Sequence, residues 1–263
     1  LYVANYVAFT LDTHRPCRSL KQREVYCHPG QYGGVPDIFY LNNGDGTFED
    51  ATVAAGLRTP TDRAALGVVF GDIDNDGWPD LYVANDAEAN HLFRTLGDGT
   101  FEEVAFLAGT AYSGRGNPEA GMGVDLGDVD GDGLLDIVVT NFEFESNALY
   151  RNLGSGVFVD GRYQFNLADS SLNYLAFGVD LLDLDHDADL DLAIAYGHIL
   201  DNTSEINPDS TYAQRNQILE NTQAGRFQEV AESGMKHDGV SRGLVSADFD
   251  GDGDLDLAIN NSN

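Results

Sequence analysis

Asp72-Ile73-Asp74-Asn75-Asp76-Gly77-Trp78-Pro79-Asp80 places an acid at positions 1, 3, 5 and 9 of a nine-residue stretch and a glycine at position 6. The pattern returns three times. Its acids are then Asp128, Asp130, Asp132 and Asp136; Asp183, Asp185, Asp187 and Asp191; and Asp248, Asp250, Asp252 and Asp256. Successive starts lie 56, 55 and 65 residues apart, and Gly67, Gly123, Gly178 and Gly243 each stand five residues ahead of a loop. The repeat is therefore longer than the loop, which marks a stacked-repeat architecture.

Outside the loops the copies align as β-type segments bounded by Gly, Asp and Asn. Strand A runs into the loop over residues 68–71, 124–127, 179–182 and 244–247, and strand B leaves it over 81–85, 137–141, 192–196 and 257–261. Strand C follows at Leu92-Phe93-Arg94, Leu149-Tyr150-Arg151 and Ile218-Leu219-Glu220, and strand D begins at Phe101, Phe158 and Phe227. Between C and D, Gly97-Asp98-Gly99-Thr100 has the chemistry of a tight reversal. One such sheet cannot bury both its faces, so neighbours must stack on it; four antiparallel strands repeated at this period describe a β-propeller blade. The expected fold is all-β, a β-propeller with about four to five blade equivalents. It divides into a partial blade with an insertion (1–52), blades at 53–105, 106–160 and 161–231, and a partial blade at 232–263. Leu1-Tyr2-Val3-Ala4-Asn5 duplicates the strand B of Leu81-Tyr82-Val83-Ala84-Asn85, so the two end pieces do not add up to one blade. The expectation is a fragment of a larger propeller of about seven blades.

Four carboxylates within nine residues repel one another and cannot all stay ionised without a counter-ion. A divalent cation resolves the conflict. Calcium accepts six to eight oxygens, which the side chains at positions 1, 3, 5 and 9 and the carbonyl at position 7 (Trp78, Leu134, Asp189 and Asp254) would largely supply. Magnesium suits less, since it prefers to keep its waters. An EF-hand would need a bidentate Glu at position 12, where this chain has Val83, Val139, Ile194 and Ile259, residues of strand B; the ninth-position Asp must close the site instead. Gly77, Gly133 and Gly253 permit the sharp turn at position 6, whereas the third loop carries Ala188 there. About four calcium sites are expected, the Asp183 loop weakest.

Sixteen loop aspartates together with Asp189 and Asp254 make eighteen of the 44 acidic residues, so much of the net charge of -30 is ligand inventory. Against them stand 14 Lys+Arg, of which only Lys21 and Lys236 are lysines. Such a surface repels phosphate backbones and anionic lipid, which excludes nucleic acid as a partner. A hydrophobic fraction of 42%, with 14 Phe and 12 Tyr, is enough for a core, and no apolar run is long enough for membrane insertion.

The units from Gly67 through Asn85, followed by Leu92-Phe93-Arg94 and Gly97-Asp98-Gly99-Thr100-Phe101, resemble FG-GAP/VCBS repeats, the calcium-loop blades of integrin α-type propellers. A closer resemblance is to the ASPIC/UnbV, cartilage-acidic-protein-like group. It is carried by Tyr196-Gly197-His198-Ile199, Gln214-Arg215-Asn216-Gln217-Ile218-Leu219, Ser241-Arg242-Gly243, and an insertion with Cys17, Cys27, His28-Pro29-Gly30 and Asn43-Gly44-Asp45-Gly46-Thr47-Phe48. The ASPIC/UnbV domain that usually follows such a propeller is not in this sequence. The resemblance implies a secreted, calcium-dependent binding scaffold.

Cys17 and Cys27 are the only cysteines. Paired, they close a small loop; the alternative is two free thiols, and their spacing is not one that zinc uses. One even pair in an acidic calcium protein reads as secreted, extracellular or periplasmic. The connections from A to B and from C to D leave one face of a blade and are stereotyped. Those from B to C (6–36, 197–214) and from D to A (106–120, 161–175) leave the other face and are long and irregular, as binding loops are. That face is expected to recognise a protein or carbohydrate ligand, with Tyr112, Arg115, Phe142, His198 and Tyr212 as candidate contacts. Two alternatives stand beside it. One is a polysaccharide-active, lyase-like propeller with a central pocket and His198 as base; the chain has no Gly-x-Ser-x-Gly, His-Glu-x-x-His, P-loop or dinucleotide fingerprint. The other is an assembly module that forms oligomers through open propeller edges.

Overall fold

The structure, a computed structural model, describes residues 1–222, 225–235 and 237–262; Lys236 lies outside them. It is built almost wholly of antiparallel strands. The first blade holds β1 (Tyr2–Val3), an excursion with the hairpin β2 (Cys17–Arg18) and β3 (Glu24–Val25), then β4 (Ile38–Asn42) and β5 (Phe48–Asp50). The second holds β6 (Ala65–Gly71), β7 (Asp80–Asn85), β8 (His91–Thr95) and β9 (Phe101–Glu103), followed by the short helix α1 (Ala105–Ala108). The third holds β10 (Val124–Gly127), β11 (Asp136–Val139), β12 (Ala148–Asn152) and β13 (Phe158–Asp160), followed by α2 (Leu167–Ser171). The fourth holds β14 (Ala176–Leu182), β15 (Asp191–Tyr196), α3 (Thr203–Ile206), β16 (Gln214–Arg215), β17 (Gln217–Thr222) and β18 (Arg226–Glu229). After β19 (Asp238–Gly239), which pairs with β16, β20 (Ser241–Ala247) and β21 (Asp256–Asn261) form a two-stranded sheet. Sheet order is β1-β4-β5, β6-β7-β8-β9, β10-β11-β12-β13, β14-β15-β17-β18 and β20-β21. This is a β-propeller of five blade equivalents, the first lacking strand A and the last lacking C and D among the described residues.

Packing follows from the two-residue period of a strand. In β7, Leu81 and Val83 pack with Tyr2, Ala65 and Phe93 toward the first blade, while Tyr82 and Ala84 pack with Ile137, Val139 and Tyr150 of the third. In β11, Val138 turns the other way, to Leu192, Ile194 and Tyr196 of the fourth. The strands B of the three complete blades are thus covered on both faces, and β7, β11 and β15 are buried at every position. Along β20 and β21, which have one neighbouring blade, exposed positions alternate or predominate.

The recurring glycine of strand A sits where inner strands of adjacent blades touch. A Cβ on Gly67 would lie 2.4 Å from the Met122 carbonyl oxygen, one on Gly123 2.0 Å from that of Phe177, and one on Gly178 2.6 Å from the Leu244 nitrogen. Before the first three loops the glycine at this spacing is therefore a demand of blade-to-blade approach. Adjoining it, Asp125 accepts from the Leu181 amide (2.8 Å) and Asp180 from the Ser246 amide (2.7 Å), which ties successive inner strands together.

Candidate metal centres and ligand cavity

The four Asp loops are the A-to-B connections. In the first, Asp72 accepts from the amides of Asp76 (3.0 Å) and Gly77 (2.8 Å), and Asp76 accepts from Trp78 (2.9 Å). The second repeats this with Asp128, Asp132, Gly133 and Leu134. The ninth-position acid closes the turn: Asp80 accepts from Ile73 in the loop (3.2 Å) and Thr95 at the end of β8 (2.8 Å), Asp136 from Val129 and Asn152, and Asp191 from Leu184 and Asn221. A carboxylate oxygen from each of Asp72, Asp74 and Asp80 lies within 4.8 Å of the others, and so do those of Asp128, Asp130 and Asp136, of Asp183, Asp185 and Asp187, and of Asp248, Asp250 and Asp256.

The donor set fits a hard divalent cation, and one feature decides the fit: Oδ1 of Asp74 and Oδ1 of Asp130 are buried with no hydrogen-bond partner. Buried carboxylate oxygens are otherwise satisfied. Burial, reinforced by Asp74 and Asp76, pushes Asp80 up to about 6, and burial with Asp130 and Asp132 does the same to Asp136. The sequence set these residues in one coordination group, but Asp76, Asp132 and Asp252 lie outside the closest trios, where they cap the turn, and in the third loop Asp187 replaces Asp191 in the trio. At position 7, Trp78, Leu134, Asp189 and Asp254 donate their amides to the fifth-position acid, and the Asp254 side chain meets His186 across to the third loop at 3.0 Å. Ala188 has φ 74°, in the same left-handed region as Gly77 (91°), Gly133 (85°) and Gly253 (100°).

Two asparagines escaped the sequence reading. Asn152, at the end of β12, donates 2.8 Å to the Ile73 carbonyl in the preceding blade's loop, and Asn221 in β17 donates 2.8 Å to that of Val129. Both directly follow the C-strand triplets Leu149-Tyr150-Arg151 and Ile218-Leu219-Glu220, the only signal that could have marked them. Arg151 itself pairs with Asp130 and reaches Asp132 at 3.4 Å.

On the other face, connections from the first four blade equivalents, with Arg242 of β20 and Ser262, surround a cavity of about 1110 Å³. Phe142, His198 and Tyr212 line it as the sequence proposed, together with Tyr6, Phe9, Tyr26, Tyr32, Asp86, Glu143, Glu145 and Arg242. Tyr112 and Arg115 are elsewhere: Arg115 donates to the Tyr163 hydroxyl (3.2 Å), and Tyr112 stacks edge-on against Phe106. His198 is buried, its Nδ1 accepts from the Leu200 amide (2.9 Å), and its Nε2 faces Glu143 at 3.3 Å. Although burial raises it, Glu143 is held below the usual carboxylate range by His198 and by the Ser210 hydroxyl. Burial raises Asp86 and Glu145, while the nearby His28 opposes the shift in both. Cys17 and Cys27 form a disulfide beside the cavity.

The FG-GAP-like repeat model matches residues 24–83, 72–139, 128–194 and 207–259, so that every Asp loop falls within a match. The chain belongs to the FG-GAP-like repeat family. As an FG-GAP-like repeat protein it is 28% identical over 229 residues to cartilage acidic protein 1 of Homo sapiens and of Mus musculus, covering 85% of this chain and 32% of each relative. It is 28% identical over 214 residues to that of Xenopus tropicalis, covering 80% of this chain and 30% of the relative. The chain thus spans about a third of the length of the curated relatives it matches. A solved structure described as specific recognition of non-reducing terminal N-acetylglucosamine by an Agrocybe aegerita lectin aligns with a TM-score of 0.39 and 18% identity, over 86% of this chain and 69% of that one.

Proposed function

We propose that this FG-GAP-like propeller is an extracellular calcium-binding scaffold for recognition of a protein or glycan, with structural calcium in the Asp loops and the ligand on the opposite face. The observation that carries it is the meeting of the B-to-C connections of four blades at one aromatic and acidic cavity, on a frame whose opposite ends gather carboxylates that could hold cations. Bound calcium would neutralise the loop carboxylates and fix the ends of strands A and B. Asp72, Asp74 and Asp80 and their counterparts would hold it, and Asn152 and Asn221 brace the loops from the next blade. The disulfide and the resemblance to cartilage acidic protein 1 support an extracellular setting. Among the described residues no helix is long and apolar enough to cross a membrane.

The lyase-like alternative needs a free base, and His198 has both ring nitrogens engaged in a buried position. The scaffold reading is tested in two parts. Terbium luminescence sensitised by Trp78, the only tryptophan, should rise on titration and be competed away by calcium; no sensitised emission would count against metal in the first loop. Glycan and protein arrays probed with the calcium-loaded chain should give binders that Phe142→Ala or Tyr212→Ala weakens by about tenfold or more; a shortened or unsaturated glycan product would instead show an enzyme.

A further inference from the structure

We infer that the disulfide-braced hairpin of residues 17–27 is a movable strap along one side of the central cavity, latched at its tip to the fourth blade. This rests on the cavity being the ligand site. The excursion leaves the first blade through a fixed base: Val7 and Gly34 form a β-bridge, the Ala8 amide donates to the Gly33 carbonyl at 3.0 Å, and Phe9 meets Tyr32 edge-on at 5.4 Å. At the same base the Tyr6 hydroxyl donates to Asp86 in the second blade's loop. Its far end reaches a loop 178 residues away in the chain. There the Asn202 side chain donates to the Glu24 carbonyl at 3.0 Å, and Arg23 pairs with Glu205, also at 3.0 Å.

The two ends differ in kind. The base is backbone pairing and aromatic packing. The latch is one hydrogen bond and one ion pair whose side chains are 56% and 51% exposed, and Leu20 at the hairpin tip is fully exposed. Between them, the Cys17–Cys27 bridge and the pairing of Cys17 with Val25 and Arg18 with Glu24 keep the hairpin in one piece. A stiff segment with a firm base and a weak tip swings as a unit, and elements of low local stability are those that open. Ser19, Val25 and Cys27 line the cavity from the strap, and Ile199, Leu200 and Thr203 line it from the latched loop. Parting the latch therefore widens the cavity on that side, and salt, which screens an exposed pair, favours parting.

The test uses the whole chain with its disulfide intact and Ile199→Cys as a reporter inside the cavity. Labelling by a small methanethiosulfonate is compared with labelling by a bulky polyethylene-glycol maleimide, in the parent and with Arg23→Ala and Asn202→Ala added. One hydrogen bond and one exposed ion pair correspond to roughly tenfold in an opening equilibrium. The bulky-to-small rate ratio should rise by up to that factor in the latch variant, and to a smaller degree in the parent at high salt. An unchanged ratio overturns the strap. The distance between spin labels on Leu20→Cys at the exposed tip and Glu220→Cys on the fourth blade, with and without Arg23→Ala, reads the same swing without a cavity substitution, and equal distance distributions in both proteins overturn it as well. No ligand enters either measurement, so a failed strap leaves the recognition reading standing, and a failed ligand screen leaves the strap standing.

Discussion

Ala188 holds a backbone conformation that its three counterparts assign to glycine. A left-handed alanine costs about 1–2 kcal/mol, whereas glycine there gives back about 0.4–1 kcal/mol through the freedom of the unfolded chain. Ala188→Gly is therefore expected to stabilise the protein by a few tenths of a kcal/mol to about 1 kcal/mol, read by denaturant unfolding at saturating calcium; a lower midpoint would contradict this. Asp80 and Asp136 give a pH prediction. Their folded values are raised from 3.8 to about 6, so the folded state binds more protons than the unfolded one between those limits. Metal-stripped protein should then lose stability as pH rises from about 4 through about 6, and calcium, which favours the ionised acids, should reverse the trend. Melting curves at stepped pH with and without calcium check the sign. The loop acids were legible because their chemistry is local: spacing alone forces the carboxylates together. Tyr112 and Arg115 were not, because the direction a loop residue takes depends on partners such as Tyr163 and Phe106 that no spacing reveals.

The A-to-B unit with its closing Asp is the working part of this fold, and the strand after it contributes a clasp. Asn152→Ala removes a bond across two blades and leaves the Ile73 carbonyl unpaired, for an expected cost of about 1–2 kcal/mol; Asn221→Ala should match it. Urea unfolding of both variants is the check, and a loss no larger than for an exposed asparagine would show that the clasp is idle. Strands A to D were readable from period-2 patterning and turn chemistry. The helices α1, α2 and α3 were not, since four or five residues are too few to display a helical period. Nor was the strap's reach to Asn202, which depends on how the blades curve round.

At the scale of the molecule, cation binding bears on whether the blades hold together. If free calcium stands tenfold above each dissociation constant, each site adds about 1.4 kcal/mol and four add roughly 5 to 6 kcal/mol, comparable with a domain's whole stability. Thorough chelation should lower the melting temperature by well over 10 °C; a scan unaltered by chelator would refute a structural role for the ion. The clasps add a direction to this stack. Asn152 lies 79 residues beyond the carbonyl it holds, and Asn221 lies 92 beyond its own. A nascent chain leaving the ribosome amino end first must therefore run more than a whole blade past the first and second acidic loops before they are finished. During translation both loops wait, half built, on protein not yet made.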